Sequence, residues 1–175
     1  LDRVIPMLPK ELSNGICSLN EGKDRLTLSV IMEIDKKGNV ISSDITKGVI
    51  KVTKRMSYNI VQKLLDLDNS AEIDEDLKKY IPYINHFKLM AELAHILENK
   101  RKENGYLDLD IPESKITLDK KGKAIDVGKY EIKFSNIIIE QFMLTANETV
   151  AEKFYWLEAP FIYRVHEAPD QEKIT

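Results

Sequence analysis

The sequence contains a single cysteine, Cys17, among 175 residues. One thiol cannot form an internal disulfide, and the lack of a cysteine pair is typical of a reducing compartment, so we expect a cytoplasmic protein. Long apolar runs are also missing, because no run reaches the roughly 18 residues that a membrane-spanning helix needs. The first residues, LDRVIPMLPKEL, lack the pattern of a signal peptide. The sequence therefore predicts no membrane segment.

An excess of charge of one sign is likewise absent. The chain has 26 basic and 29 acidic residues, with a net charge of −3, and so lacks the basic excess of many nucleic-acid-binding proteins. A binding channel needs positive potential on only one surface, so this balance does not exclude RNA. The hydrophobic fraction of 43% is sufficient for one core. We expect a single domain over residues 1–175, without linker or internal repeat.

Strand patterns occur in two pairs, which predicts two antiparallel hairpins in an α+β fold. LTLSVIMEI (26–34) and VISSDITKGVIKVT (40–53) flank the turn-forming DKKGN. KITLDKKGKAIDVGKYEI (115–132) has the same character, with KKGK at its turn. Residues 1–25, which precede the first hairpin, are rich in proline and turn-forming residues, so we expect an ordered loop there.

Helical spacing of apolar residues predicts a short helix and then a long central one. Ser57 is a suitable N-cap for YNIVQKLLDL. Apolar residues then recur at helical spacing from Leu77 to about Asn104, and Gly105 fits the end of this helix. Pro82 lies inside the pattern, so it predicts a kink or a break into two helices.

The last part of the chain predicts a helix of about 20 residues, IIIEQFMLTANETVAEKFYWL, capped by Ser135 or Asn136 and ended before Pro160. YLDLDI (106–111) and FIYRVH (161–166) have the composition of short strands. The expected architecture is therefore two hairpins packed with a long central helix and a C-terminal helix.

Few residues suggest chemistry on their own. His86 and His95 are nine residues apart, on opposite sides of one predicted helix, so they cannot share a metal ion. Cys17 is expected to be a small buried core residue rather than a nucleophile. Asp108 and Asp110 lie on one face of a predicted strand, where they form either a cation site or simply a polar face.

Glu140 falls in the otherwise apolar stretch IIIEQFML. It either points inward, where its carboxylate needs a partner, or lies on the helix surface. The sequence contains no glycine-rich phosphate loop and no nucleophile and base at a known spacing. Residue chemistry alone therefore predicts an α+β domain without an assigned activity.

Three tracts, in order, resemble the catalytic domain of the ribonuclease R and ribonuclease II family. They are DRVIPMLPKELSNGICSLNEGKDRLTLSVIMEID (2–35), in which IPMLP is followed by LSNGICSLN, then KRMSYNIV (54–61), then IIIEQFMLTANETVAEKFYWLEAPFIYRVHEAPD (137–170). The resemblance implies an internal fragment of the RNB catalytic domain of a processive, magnesium-dependent 3′→5′ exoribonuclease. Such enzymes degrade single-stranded RNA, or RNA with a 3′ overhang, to nucleoside 5′-monophosphates.

The same resemblance implies that the metal-binding aspartates precede Leu1. We therefore assign no catalytic or metal-binding residue in this chain, and expect the isolated fragment to bind no Mg²⁺ and to be inactive. Tyr58 matches a family tyrosine that grips RNA near its 3′ end, and Glu140 matches a glutamate that helps to select ribose over deoxyribose. Arg25 is a further candidate for RNA-channel or network contacts.

Two positions depart from the family pattern. Leu109 replaces a phenylalanine that stacks on bases in several ribonuclease II type sequences, and Gln141 replaces the second of two paired glutamates. Asn14 is expected only to satisfy backbone groups of its turn. The alternative is a non-catalytic RNA-binding or interaction scaffold of the same family, which would lack an aspartate cluster upstream.

Overall fold

The computed structural model describes residues 5–67, 74–106 and 113–165. Within these ranges the regular elements, in chain order, are β1 (Asp24–Ile34), β2 (Val40–Lys51), α1 (Tyr58–Leu65), α2 (Glu75–Lys78), α3 (Ile84–Glu103), β3 (Ser114–Leu118), β4 (Ala124–Lys129) and α4 (Phe134–Trp156). Strand β1 pairs with β2 and β3 with β4, both antiparallel. The predicted α+β architecture is confirmed.

Within the described residues 5–23, the N-terminal segment is not purely a loop. A short helical segment, Glu11–Ile16, is broken at Gly15, whose φ of −100° and ψ of −107° are not helical. The side-chain amide of Asn20 donates to the carbonyl oxygens of Asn14 and Gly15, at 3.1 and 3.3 Å. Asn20 therefore satisfies the turn backbone, the role that the sequence assigned to Asn14.

The first hairpin turn is held by one aspartate. Asp35 Oδ1 accepts hydrogen bonds from the backbone N–H groups of Lys37 and Asn39, both at 2.8 Å, and Gly38 has a φ of +78° that favours glycine. The side chain and backbone of Asn39 also lower the pKa of the Asp35 carboxyl. The pairing register shifts by one residue between Glu33 and Ile34, next to the turn.

The second hairpin repeats this turn with the same DKKG letters. Asp119 Oδ1 accepts from the N–H groups of Lys121 and Lys123, at 2.8 and 2.9 Å, and Gly122 has a φ of +79°. Both hairpins therefore use the same local chemistry, a carboxylate that collects two N–H groups and a glycine in the left-handed region.

The first hairpin packs against α3 and α4. Lys100 Nζ donates to the Gly38 carbonyl oxygen at 2.9 Å, and Lys153 Nζ donates to that of Ser43 at 3.1 Å. Gly38 also approaches Ile96 so closely that an added Cβ would lie 3.3 Å from its side chain. This turn is therefore fixed to α3 as well as by its own hydrogen bonds.

The central helical region is broken, as Pro82 predicts. Helix α2 ends at Lys78, and a single tight turn, Ile81–Tyr83, contains the proline before α3 begins. At the other end, the N–H groups of Gly105 and Tyr106 bond back to Lys102 and Arg101, at 3.1 and 3.0 Å. This pattern, with Gly105 at a φ of +89°, is a Schellman cap, so the predicted helix end is confirmed.

Buried apolar side chains join α1 and α2 to the start of α3, and α3 to α4. Leu64, Leu77 and Tyr80 form one buried cluster, with Met56, Ile60, Leu67 and Phe87 packed on it. Ala94 and Leu97 of α3 and Ile138 of α4 are also buried. The three longer helices thus contact one another pairwise.

The start of α4 differs from the predicted cap. The helix begins at Phe134, and Asn136 Oδ1 accepts the N–H of Lys133 at 3.1 Å from inside the first turn. Ser135 lies within the helix and bonds elsewhere, as described below. The sequence thus placed the helix correctly, but neither Ser135 nor Asn136 occupies the capping position.

The predicted strand FIYRVH is wrong where it can be compared, since residues 161–165 have no regular secondary structure. Phe161 instead stacks on Phe154 of α4 at a centroid distance of 4.7 Å, and Tyr163 meets Phe161 edge-on. Aromatic packing on the helix replaces strand pairing. His166 and most of YLDLDI lie outside the described residues.

Among the described helices, none combines the length and the apolar composition needed to cross a bilayer.

The end of α4 contains a backbone feature that predicts a stabilising substitution. Glu158 has a φ of +50°, and the N–H groups of Glu158 and Ala159 bond to Tyr155 and Phe154 in a Schellman cap. Since a non-glycine residue in the left-handed region costs about 1 kcal/mol, Glu158→Gly should raise the free energy of unfolding by about that amount in urea denaturation. Glu152→Gly, inside the same helix, is the control and should lower it by about 1 kcal/mol. A loss of stability in Glu158→Gly would contradict the prediction.

Candidate functional site

Tyr58 is the first residue of α1 and 44% of its surface is exposed. Ser57 caps the helix as predicted, with an extended backbone and a side chain that accepts the N–H of Ile60 at 3.4 Å. The helix therefore starts at a defined residue, and the phenol of Tyr58 extends from its first turn.

The segment leading into α1 is held by Glu21 of the N-terminal region. Its Oε2 accepts the backbone N–H of Arg55 at 2.8 Å, and its Oε1 pairs with Lys54 Nζ at 2.6 Å. The Arg55 N–H, followed by Lys54, lowers the pKa of the Glu21 carboxyl, and Glu21 in turn raises the pKa of Lys54. Glu21 also forms a backbone bridge with Val52. The approach to α1 is therefore fixed to the N-terminal loop.

Helix α4 holds α1 from the other side. Ser135 Oγ donates to the carbonyl oxygen of Tyr58 at 2.9 Å, and the Ser135 N–H donates to Gln62 Oε1 at 3.0 Å. Lys133 Nζ donates to Asn59 Oδ1 at 2.9 Å. We call this set of contacts, formed by Glu21, Lys54, Arg55, Tyr58, Asn59, Gln62, Lys133 and Ser135, the α1 junction. The α1 junction connects the first two tracts that resemble the family, residues 2–35 and 54–61, with the start of α4. Helix α4 then continues into the third tract.

Glu140 lies on α4, five residues beyond Ser135, and its side chain is exposed. Of the two alternatives that the sequence left open, the surface position is correct and the inward position is wrong. The neighbouring Gln141 is the buried residue, with only 3% of its surface exposed. Tyr58 and Glu140 are thus both accessible, on two helices joined at Ser135.

Arg25 takes part in a structural network. Its side chain is half-buried on β1, where Nε donates to the Ser18 carbonyl oxygen at 2.9 Å and Nη1 donates to that of Asp24 at 3.0 Å. Within the part of the chain that the structure describes, no hydrogen bond or ion pair joins Arg25 to Tyr58 or Glu140. Arg25 therefore fixes the N-terminal loop onto β1.

A second polar cluster, centred on Arg101, was not anticipated from the sequence. Arg101 Nε donates to Gln141 Oε1 at 3.0 Å, and its two terminal nitrogens donate to the two carboxylate oxygens of Glu148 at 2.7 and 3.0 Å. Such a two-pronged pair fixes both position and orientation. The substitution of glutamine for glutamate at Gln141 was the available signal, because an uncharged amide suits a buried site.

Arg101 lies in an open groove of about 1010 Å³ between β2 and the C-terminal halves of α3 and α4. Two lysines of the groove, Lys100 and Lys153, donate to backbone carbonyl oxygens, and Arg101 is paired with Glu148. Arg101 is therefore neutralised, and each lysine uses one of its three N–H donors on the main chain, so the groove has less free capacity for a phosphate than its three cations suggest.

The two histidines and the cysteine that the sequence analysis considered lie outside the α1 junction. His95 stacks on Phe134 with ring centroids 4.3 Å apart, and His86 is exposed. Cys17 is exposed, so the expectation of a buried core residue is wrong. It follows the break at Gly15, where its neighbours form a surface loop. Asp108, Leu109 and Asp110 lie outside the described residues.

No group of three or more His, Cys, Asp or Glu in residues 5–67, 74–106 and 113–165 could hold a metal ion. These residues do not fit the magnesium site that the resemblance implies, since such a site requires clustered carboxylates. The described geometry can present an aromatic ring and a carboxylate to a ligand, and no metal-dependent step is assigned to it.

Comparison with known proteins identifies the family. The RNB domain model matches residues 1–175. Ribonuclease R 1 of Lactococcus lactis is 45% identical over 173 residues, covering 99% of this chain and 21% of the relative. Ribonuclease R of Thermotoga maritima is 47% identical over 175 residues, covering 99% of this chain and 24% of the relative. The chain thus spans about a quarter or less of the length of these relatives.

The fold agrees with a solved structure. Ribonuclease R of Mycoplasma genitalium, in complex with ribose-methylated single-stranded RNA, superposes with a TM-score of 0.84 and 30% identity, over 98% of this chain and 26% of that one. The same enzyme in complex with double-stranded RNA gives a TM-score of 0.83 over 97% of this chain and 29% of that one. Because the RNB domain model matches the chain along its whole length, this chain belongs to the RNB domain family.

Proposed function

We propose that this chain is part of a processive 3′→5′ exoribonuclease that hydrolyses RNA to nucleoside 5′-monophosphates. The observation that carries the proposal is the match to the RNB domain over all 175 residues. The relatives named ribonuclease R, and the complexes of the Mycoplasma enzyme with single-stranded and double-stranded RNA, support RNA as the substrate. We propose single-stranded RNA or RNA with a 3′ overhang as its form. The role of this segment is to form part of the wall that holds the RNA.

Within the segment, we assign RNA contacts to Tyr58 and Glu140. An exposed aromatic ring offers a stacking surface to a base, and a carboxylate accepts a hydrogen bond from a ribose 2′-hydroxyl, which deoxyribose lacks. Both side chains are accessible, and the α1 junction fixes the main chain of Tyr58 relative to α4. Arg25 contributes indirectly, because its hydrogen bonds hold the N-terminal loop in place.

The hydrolytic step is assigned to residues of the whole protein outside this chain. A magnesium ion bound by aspartates there would activate water and stabilise the charge that develops at the phosphate. The isolated chain is therefore proposed to bind no Mg²⁺ and to cleave no RNA. Its single cysteine suits the cytoplasm, where we place the complete enzyme.

The proposal predicts different behaviour for the whole protein and for this chain. In magnesium-dependent digestion of an RNA with a 3′ overhang, the whole protein should release mononucleotides, whereas the 175-residue chain should release none. Addition of excess EDTA is the control and should stop the whole protein. An inactive whole protein would favour the scaffold alternative, and an active isolated chain would show that its own residues carry the chemistry.

Substitutions in the whole protein test the two assigned contacts. Tyr58→Ala should weaken RNA binding by about 1–3 kcal/mol, the usual value of stacking on one base, in magnesium-free fluorescence anisotropy. Glu140→Gln should reduce the preference for RNA with a 3′-terminal ribose over the same strand ending in deoxyribose. Tyr163→Ala and Glu152→Gln are matched controls, since both side chains are exposed near the other end of α4. Equal effects in the controls would contradict the assignment.

A further inference from the structure

We propose that Ser135 is a positioning residue that sets Tyr58 relative to Glu140 and thereby determines how well the site selects a ribose end. The inference rests on the proposed function, because it concerns the same two RNA contacts. It adds a buried residue that touches no RNA and acts through α1.

Both polar groups of Ser135 are directed at α1, although the residue belongs to α4. Only 2% of its surface is exposed, its Oγ donates to the carbonyl oxygen of Tyr58 at 2.9 Å, and its N–H donates to Gln62 Oε1 at 3.0 Å. N–H groups in the first turn of a helix have no partner within their own helix. Here that N–H fixes one helix to the next.

The first of these bonds ends on the residue whose side chain is proposed to hold RNA. The Tyr58 phenol is exposed, while its main chain is fixed by Ser135 on one side and, three residues earlier, by the Glu21 contact to Arg55 on the other. A residue whose main chain is already fixed loses less conformational freedom when its side chain binds a ligand. The bond therefore limits where the phenol can lie.

Glu140 is carried by the same helix as Ser135. It follows by five residues, roughly 7.5 Å along the axis of α4. Since the helix is rigid over that distance, the contact at Ser135 fixes α1, with Tyr58, against α4, with Glu140. Loss of this contact should alter the spacing between phenol and carboxylate more than the exposure of either group.

Thr145 is a matched control for general effects on helix stability. It is also a buried hydroxyl residue of α4, 6% exposed, but its Oγ1 donates to the carbonyl oxygen of Gln141 in its own helix at 2.8 Å. Thr145→Val removes this hydroxyl at nearly constant volume and leaves the contact between α1 and α4 in place.

The test uses the full-length protein and two RNAs that differ only in a ribose or deoxyribose at the 3′ end. Their dissociation constants are measured without magnesium, at a temperature where every variant is folded. The ratio of interest is the dissociation constant for the deoxyribose-ended strand divided by that for the ribose-ended strand. Ser135→Ala should reduce this ratio by about fivefold, while Thr145→Val should change it by less than about twofold. Both variants should unfold at a somewhat lower temperature.

Three results would overturn the inference. If Tyr58→Ala and Glu140→Gln reduce the ratio but Ser135→Ala does not, the inference fails and the proposed function stands. If Thr145→Val reduces the ratio as much as Ser135→Ala, the effect is one of general packing. If the Tyr58 and Glu140 variants also leave the ratio unchanged, the assigned RNA contacts fail together with the inference.

Discussion

The docking of α4 is the constraint on which the rest of the described structure depends. Its buried face is unusually polar, because Ser135, Gln141, Thr145 and Thr149 are buried alongside Ile138. The hydroxyls of Thr145 and Thr149 donate to carbonyl oxygens of their own helix, whereas Ser135 and Gln141 form hydrogen bonds with other elements. Among the described residues, no buried side-chain polar atom lacks a hydrogen-bond partner. Such an interior favours one particular docking, since any slip would leave polar groups unpaired.

Each part of α4 fixes a different element. Its first turn holds α1 through Ser135, its middle holds α3 through the bond between Gln141 and Arg101, and its last turns reach the first hairpin through Lys153 and Ser43. The positions of the proposed RNA contacts thus follow from one helix. The groove at the other end of α4 follows from the same docking, and its three basic side chains all donate to protein acceptors.

Local chemistry explains what the sequence predicted well. Both hairpins depend on an aspartate and a glycine within the shared DKKG turn, and the break at Pro82 and the end at Gly105 depend on backbone rules that need no distant contact. The family tracts likewise identified the RNB domain over the whole chain. These features are encoded within a few neighbouring residues.

The orientation of side chains was harder to predict from the sequence. The stretch IIIEQFML is apolar nearly all round, so its periodicity could not show that Gln141 is buried and Glu140 exposed. Asn20 replaces Asn14 as the residue that satisfies the turn, and Cys17 is exposed, because the break at Gly15 redirects the chain. Residues 161–165 do not pair as a strand, and Phe161 packs on Phe154 of α4 instead. Each difference arises from contacts between residues distant in sequence or from a local backbone break.

The most direct measurement is hydrogen exchange in the full-length protein, with and without single-stranded RNA, in the absence of magnesium. The account predicts that RNA slows exchange at the start of α1, over residues 57–60, and along α4 near Glu140. The groove around Arg101 should show little change. Protection confined to that groove, with the start of α1 unaffected, would contradict the assignment of RNA binding to the α1 junction.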